Sequence, residues 1–206
     1  MNQKEIARLL ESFEDKRNRT IVIVDYGNIE KWKYSTKWKI GIRELAQLVK
    51  NFSKGSRSLR RFYYGADYGK NEKSVELSGW SKYILETAEA NGFEVIDKRV
   101  KYIHSRDNVH GFEKKCDLDV EMAIDLIRKR EEYDTIVLFS GDGDLMCAVR
   151  YLQEEYKKQC IVFGARDHTG REVFDAQNDA VVSDILFAED FEYRLNMERF
   201  VNGKKR

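Results

Sequence analysis

The 206-residue chain contains no proline, so prolyl kinks and polyproline segments are excluded. It has three cysteines, Cys116, Cys147 and Cys160, an odd number at wide spacing. That pattern excludes a disulfide framework and lacks the paired spacing of a structural zinc site. The thiols are read as packing groups of a reducing compartment, Cys147 and Cys160 within apolar segments. No apolar run approaches the roughly 18 residues that cross a bilayer, and Met1–Arg19 is too charged for a secretory leader. A cytoplasmic protein without a membrane partner is therefore expected. Net charge is also missing: 37 basic residues against 36 acidic ones leave +1, so a polyanionic partner must be met by a local patch rather than by the global field. What the chain does have is enough apolar residues, 42%, to fill a core. One domain spanning 1–206 is expected, its core at about 20–190 with short helical additions at both ends.

Short apolar runs alternate with helix-period stretches, the pattern of a mainly parallel sheet with crossover helices. The expected strands are Thr20–Asp25, Leu59–Gly65, Phe93–Asp97, Asp134–Ser140 and Cys160–Gly164. The first and fourth are the most continuous, which places them at the centre of a sheet of about five strands, covered on both faces. Ile42–Phe52, Val75–Asn91, Leu118–Arg130 and Leu145–Lys157 carry apolar residues at intervals of three and four and are the expected crossovers. Met1–Lys16 and Asp190–Phe200 are expected as additional helices. The polar stretch Lys98–Lys115 reads as a long surface loop or hairpin, a location where function concentrates.

Asp25 ends the first strand, and Asp142 and Asp144 follow the fourth in Ser140-Gly141-Asp142-Gly143-Asp144. If these strands are neighbours, both acidic turns face the crevice beyond the strand carboxyl ends, where open α/β sheets bind ligands. Asp119 opens the preceding helix and can add a fourth carboxylate. Acids gathered without cationic partners repel one another and resist ionisation, so such a cluster is stable chiefly around a hard divalent cation, Mg²⁺ or Mn²⁺. An ion so held can receive phosphate oxygens and lower the pKa of a bound water, as phosphodiester hydrolysis requires. Singly, each Asp could instead be a turn or helix cap. Asp117 reads as such a cap, and Asp125 as the partner of Lys129 one helical turn on.

Three blocks resemble the NYN family, a branch of the PIN-like ribonucleases. Ile21-Val22-Ile23-Val24-Asp25-Tyr26-Gly27-Asn28 is similar to its opening strand, and Lys115-Cys116-Asp117-Leu118-Asp119-Val120-Glu121-Met122-Ala123-Ile124-Asp125 to its lysine-led helix. Val137-Leu138-Phe139-Ser140-Gly141-Asp142-Gly143-Asp144 is similar to its Ser-Gly-Asp-x-Asp turn and is the most specific of the three. The resemblance runs from about Thr20 to about Asp190. It implies a Rossmann-like (PIN-like) three-layer sandwich and RNA cleavage by a metal-activated water. It also implies metal-holding and catalytic roles for Asp25, Asp119, Asp142 and Asp144, with Asn28 orienting a metal or phosphate ligand and Ser140 and Lys115 on the substrate side. Asp125 also matches a family acid, but six residues from Asp119 it occupies another helical azimuth. Gly27 and the long Lys98–Lys115 insertion depart from the family pattern, which bears on substrate preference.

Lys31-Trp32-Lys33-Tyr34-Ser35-Thr36-Lys37-Trp38-Lys39 interleaves lysines with aromatics beside Asp25, a composition that binds phosphates and stacks unpaired bases. Lys31 and Lys33 are the nearest cations. The opposite reading buries Trp32 and Trp38 in the core. Arg57, Arg60, Arg61, Lys98, Arg99, Lys101, Lys114 and Lys115 extend the basic candidates. The expected partner is single-stranded RNA, and a homodimer is compatible with the sequence. His104, His110 and His168 have no metal spacing. Gly65–Lys70 is too short for a phosphate loop, and Asp142–Asp144 lacks the glycine and glutamate of a calcium loop. An aspartate-dependent phosphatase using Asp142, and a non-cleaving RNA-binding module, are the competing readings.

Overall fold

The computed structural model describes residues 3–13, 19–54, 58–71, 73–104 and 111–202. In chain order the elements are α1 (Gln3–Ser12), β1 (Thr20–Asp25), α2 (Tyr26–Ile29), α3 (Lys33–Thr36), α4 (Ile42–Phe52), β2 (Leu59–Ala66), α5 (Gly79–Ala90) and β3 (Glu94–Arg99). There follow β4 (Lys101–His104), β5 (Phe112–Lys115), α6 (Asp119–Arg128), β6 (Thr135–Phe139), α7 (Met146–Tyr156), β7 (Gln159–Gly164), α8 (Arg171–Asn178), β8 (Asp184–Phe187), α9 (Glu192–Leu195) and α10 (Met197–Asn202). Six strands form one sheet in the order β3-β2-β1-β6-β7-β8. Every pairing in it is parallel.

The sheet alternates its side chains between two apolar layers, as the period of a strand requires. Val22, Val24, Phe62, Phe139 and Phe163 point into one layer with Leu45, Val49 and Phe52 of α4 and Ile84 of α5. Ile21, Ile23, Ile136, Leu138 and Val162 point into the other with Met122 and Leu126 of α6, Val149 of α7 and Val173 of α8. The result is the expected three-layer α/β sandwich. β1 explains its own central place: Ile21, Val22, Ile23 and Val24 are all fully buried, so the strand tolerates only neighbours on both edges and helices on both faces.

The sheet has six strands rather than about five. The additional one, β8, spans only four residues, two of them half-buried, and its alternation is too short to register as a period. Before it, α8 was also unexpected, because only Val173 and Ala176 of its eight residues are buried. Asp190–Phe200 is not one helix. A 3₁₀ turn at Ala188–Phe191 leads into α9, which is interrupted at Asn196 where the backbone bridges to Ile40, before α10. The expected helix from Val75 begins only at Gly79, where the Ser78 hydroxyl accepts the Ser81 N–H at 3.2 Å. Lys98–Lys115 does contain a hairpin, the antiparallel pair β4 and β5. Tyr102 and Lys114 fasten it to the sheet by hydrogen bonds of 2.6 Å each to the carboxylate of Asp67, just past β2.

All three cysteines are free, but only Cys160 is fully buried; Cys147 is exposed on α7 and is not a packing residue. Among the described residues no helix is long and apolar enough to cross a membrane.

Candidate metal centre

Strand order decides where the site lies. The chain builds outward from β1 through β2 to β3, then returns across the sheet to lay β6 on the other edge of β1. The two connections diverge above β1 and β6 and leave a crevice at their carboxyl ends. Register then fixes the contacts: Val24 is opposite Phe139, so the next residues, Asp25 and Ser140, emerge side by side.

A relay of hydrogen bonds joins these strand ends. Ser140 donates its hydroxyl to Asp25 Oδ2 at 3.1 Å, and Ser140 Oγ accepts the backbone N–H of Asp142 at 3.2 Å. Asp142 Oδ1 accepts the Asp144 N–H at 3.2 Å, which curls the acidic turn. The other oxygen of Asp25 accepts the Asn28 N–H at 3.1 Å, capping α2. The turn is pressed close by the loop before α8 and by the start of that helix. A Cβ on Gly141 would lie 2.1 Å from the His168 carbonyl oxygen, and one on Gly143 would lie 2.7 Å from Glu172 Cβ. Hence only glycine fits at either position.

From the opposite side α6 delivers Asp119 in its first turn; the helix is capped at Leu118 without a side-chain hydrogen bond, so Asp117 is not the expected N-cap but accepts the Asp119 N–H at 3.1 Å in an Asx turn just ahead of it. Carboxylate oxygens of Asp119, Asp142 and Asp144 lie within 4.8 Å of one another. Oxygens on one octahedral Mg²⁺ or Mn²⁺ with bonds of about 2.1 Å stand about 3 Å apart when adjacent and about 4.2 Å when opposite, so side-chain rotations of about an ångström or two would close the set on an ion. The donors are all hard oxygens, as such ions prefer. The electrostatics agree. Burial, then the facing Asp117, then Asp142 and Asp25 push the Asp119 carboxyl up to about 7. Burial also raises Asp25 against the hydrogen bonds of Asn28 and Ser140. A site that resists its own ionisation is one that a cation relieves.

The acids form the floor of an open cleft of about 860 Å³. Lys31, Lys33 and Lys115 are exposed on its lining, whereas Lys114 is engaged by Asp67. Thus three of the four expected acids meet in one group, and Asp25 adjoins it, each of its oxygens accepting one hydrogen bond, from Ser140 or from Asn28.

Several expected roles change. Ser140 is completely buried, so it positions Asp25 and Asp142 and does not meet substrate. Asn28 Oδ1 accepts both the Trp32 indole N–H at 2.7 Å and the Gly141 N–H at 3.0 Å. The oxygen that would ligate an ion is therefore spent on clasping the two strand ends. Asp125 does not pair with Lys129; it accepts from the Tyr63 hydroxyl and pairs with Arg61 on the face of α6 turned toward the sheet. Lys129 pairs with Glu132 instead. Trp32 and Trp38 are core residues at 0% and 8% exposure, because the segment coils into a 3₁₀ turn and α3. Tyr34 alone of its aromatics is open, 63% exposed. Arg60 is tied to Ser53, and Arg61 to Asp125 and Glu94, so neither is a free phosphate contact. Arg57 and His110 lie outside the described residues, and His104 packs on Phe112.

One feature was missed. Trp80 and Tyr83, in the first two turns of α5, remain 59% and 50% exposed with rings 5.6 Å apart. The signal was available: the buried stripe of α5 runs through Ser81, Ile84 and Ala88, and both aromatics fall off it.

Comparison with known proteins bears on the family and the fold. Over 71 residues the chain is 40% identical to the Low amplitude and bright protein LabA of Synechococcus elongatus, an alignment covering 34% of this chain and 38% of that protein. The chain thus spans well under half of that relative's length. The fold is shared with the crystal structure of VPA0982, a protein of unknown function from Vibrio parahaemolyticus, at a TM-score of 0.62 and 21% identity, over 85% of this chain and 96% of that one. The sequence profile of the NYN domain matches residues 5–184. With that match spanning most of its length, the chain belongs to the NYN domain family.

Proposed function

We propose that this protein is a divalent-metal-dependent ribonuclease that hydrolyses phosphodiester bonds of single-stranded RNA. The observation that carries the reading is the meeting of Asp119, Asp142 and Asp144, brought from two separate elements to the β1/β6 switch point. A Mg²⁺ or Mn²⁺ ion bound there would polarise a phosphate oxygen and lower the pKa of the attacking water. Everything else is done by the chain itself. Asp119, Asp142 and Asp144 hold the ion, and Asp25 fixes the turn that carries two of them through its bond to Ser140. Lys31, Lys33 and Lys115 receive the phosphates on either side of the scissile bond, offsetting the repulsion between an acidic floor and a polyanion. The open cleft admits a flexible single strand.

The test is a panel of structured and unstructured RNAs incubated with Mg²⁺, Mn²⁺ or chelator, comparing the wild type with Asp142→Asn. Cleavage of the unstructured RNAs that needs metal and is lost in Asp142→Asn supports the proposal. Cleavage indifferent to chelation rejects the mechanism. Binding without cleavage under every condition marks a non-cleaving RNA-binding module of the same fold.

A further inference from the structure

Beside the acidic cleft lies a second pocket of about 390 Å³, walled by Trp80, Tyr83, Ile29, Ile40 and Ile84 between α2, α4 and α5. It is continuous with the first: Glu30, Lys33 and Trp80 line both. Most of its surface is apolar, yet two lysines, Lys33 and Lys39, stand on its border. The indole of Trp80 is held in place by its N–H, which donates to Glu30 Oε1 at 3.3 Å, and the Tyr83 ring rests beside it at an interplanar angle of 30°. Large aromatics half open to water serve no packing need of their own helix, whose buried stripe lies elsewhere.

We propose that this pocket is a base-binding subsite, in which one unpaired nucleobase of the RNA strand stacks against Trp80 and Tyr83 while its flanking phosphates lie on Lys33 and Lys39. Three features select this occupant. The pocket opens into the cleft that would hold the scissile phosphate, so a strand leaving that cleft runs directly over it. Its apolar wall, bordered by Lys33 and Lys39 with the Glu30 carboxylate engaged by the Trp80 indole, matches a base carried between phosphates. A base still paired in a duplex cannot turn its face into such a pocket, so the subsite selects single strands.

The inference rests on the proposed ribonuclease reading, and its test is built on binding so that the two can fail separately. Affinity for a short fluorescent single-stranded RNA is measured on Asp142→Asn protein, with and without Trp80→Ala or Trp80→Phe. The RNA is supplied intact, as a duplex, or with single abasic sites stepped along it. Trp80→Ala is expected to weaken intact single-strand binding about ten- to a hundredfold, as loss of one stacked base does, with Trp80→Phe restoring most of it. One abasic position should reproduce the loss, with no further effect of Trp80→Ala there, and duplex binding should be unchanged. Because the abasic series is read on protein with Trp80 intact, the subsite is tested even if Trp80→Ala misfolds. Equal affinity with and without the indole, or no sensitive abasic position, overturns the subsite. So does a change from dimer to monomer in Trp80→Ala without loss of RNA binding, which would make a second copy the occupant. Absence of any RNA binding overturns it as well. If Trp80 governs binding but the wild type cleaves nothing, the subsite stands and the nuclease reading falls.

Discussion

Ser140 donates its hydroxyl to Asp25 across 3.1 Å, joining the carboxyl ends of the two central strands beneath the acidic cluster. The same oxygen holds the Asp142 backbone, so one buried hydroxyl sets the spacing of acids more than a hundred residues apart in the chain.

Ser140→Ala should therefore cost both stability and metal binding. It removes one of the two hydrogen bonds of an Asp25 carboxylate already penalised by burial, worth about 1–3 kcal/mol. Urea denaturation should show that loss, and the thermal stabilisation given by Mn²⁺ should shrink. A variant as stable and as metal-responsive as the wild type would refute the relay.

Asp119 supplies a pH prediction. Its carboxyl is raised from 3.8 to about 7, chiefly by burial and then by Asp117. A folded value above the unfolded one means that the metal-free fold holds this proton more tightly, so the contribution of Asp119 to stability is fully present below pH 3.8 and is lost as pH rises to about 7. Metal must displace that proton, so affinity should fall about tenfold per pH unit below 7. Asp119→Asn should stabilise the metal-free protein at pH 8 and abolish its metal response. Calorimetric titration across pH 5.5–8.5 checks the slope, expected as about one proton per ion.

Asp125, on the same helix, should behave in the opposite way. Its partner Arg61 has a side chain only 7% exposed, so Asp125→Ala strands a buried cation. The loss should lie toward the lower end of about 3–5 kcal/mol, because Glu94 still faces Arg61. The metal response of the folded fraction should be retained. Loss of metal binding without loss of stability would contradict the assignment.

Gly141→Ala should destabilise by about 1–3 kcal/mol, since the new methyl meets a backbone carbonyl that can move only with the loop before α8. The displaced turn should also lose metal affinity. Chemical denaturation and a metal-induced melting shift measure the two effects independently.

The α/β class, the central strands and the main crossovers were legible because burial on both faces writes itself as continuous apolar runs and helix periodicity. Thr20–Asp25 and Ile42–Phe52 match the structure end for end. β8 and α8 were not legible, because each buries too few residues to make a period. The segment from Lys31 to Lys39 was misleading: alternating lysine and aromatic residues describe an RNA-binding loop and a helical turn with buried tryptophans equally well, and only packing against Phe163 decides for Trp32.

By itself the sequence determined which acids lie at strand ends and helix starts, since those positions follow from local periodicity and turn chemistry. Tertiary structure alone decided which of them meet. Strand order placed β6 against β1, register set Ser140 beside Asp25, and the approach of α6 brought Asp119 within 4.8 Å of Asp142 and Asp144 while turning Asp125 toward Arg61. Distances between side chains remote in the chain depend on the packing of whole layers, and no local pattern of residues encodes them.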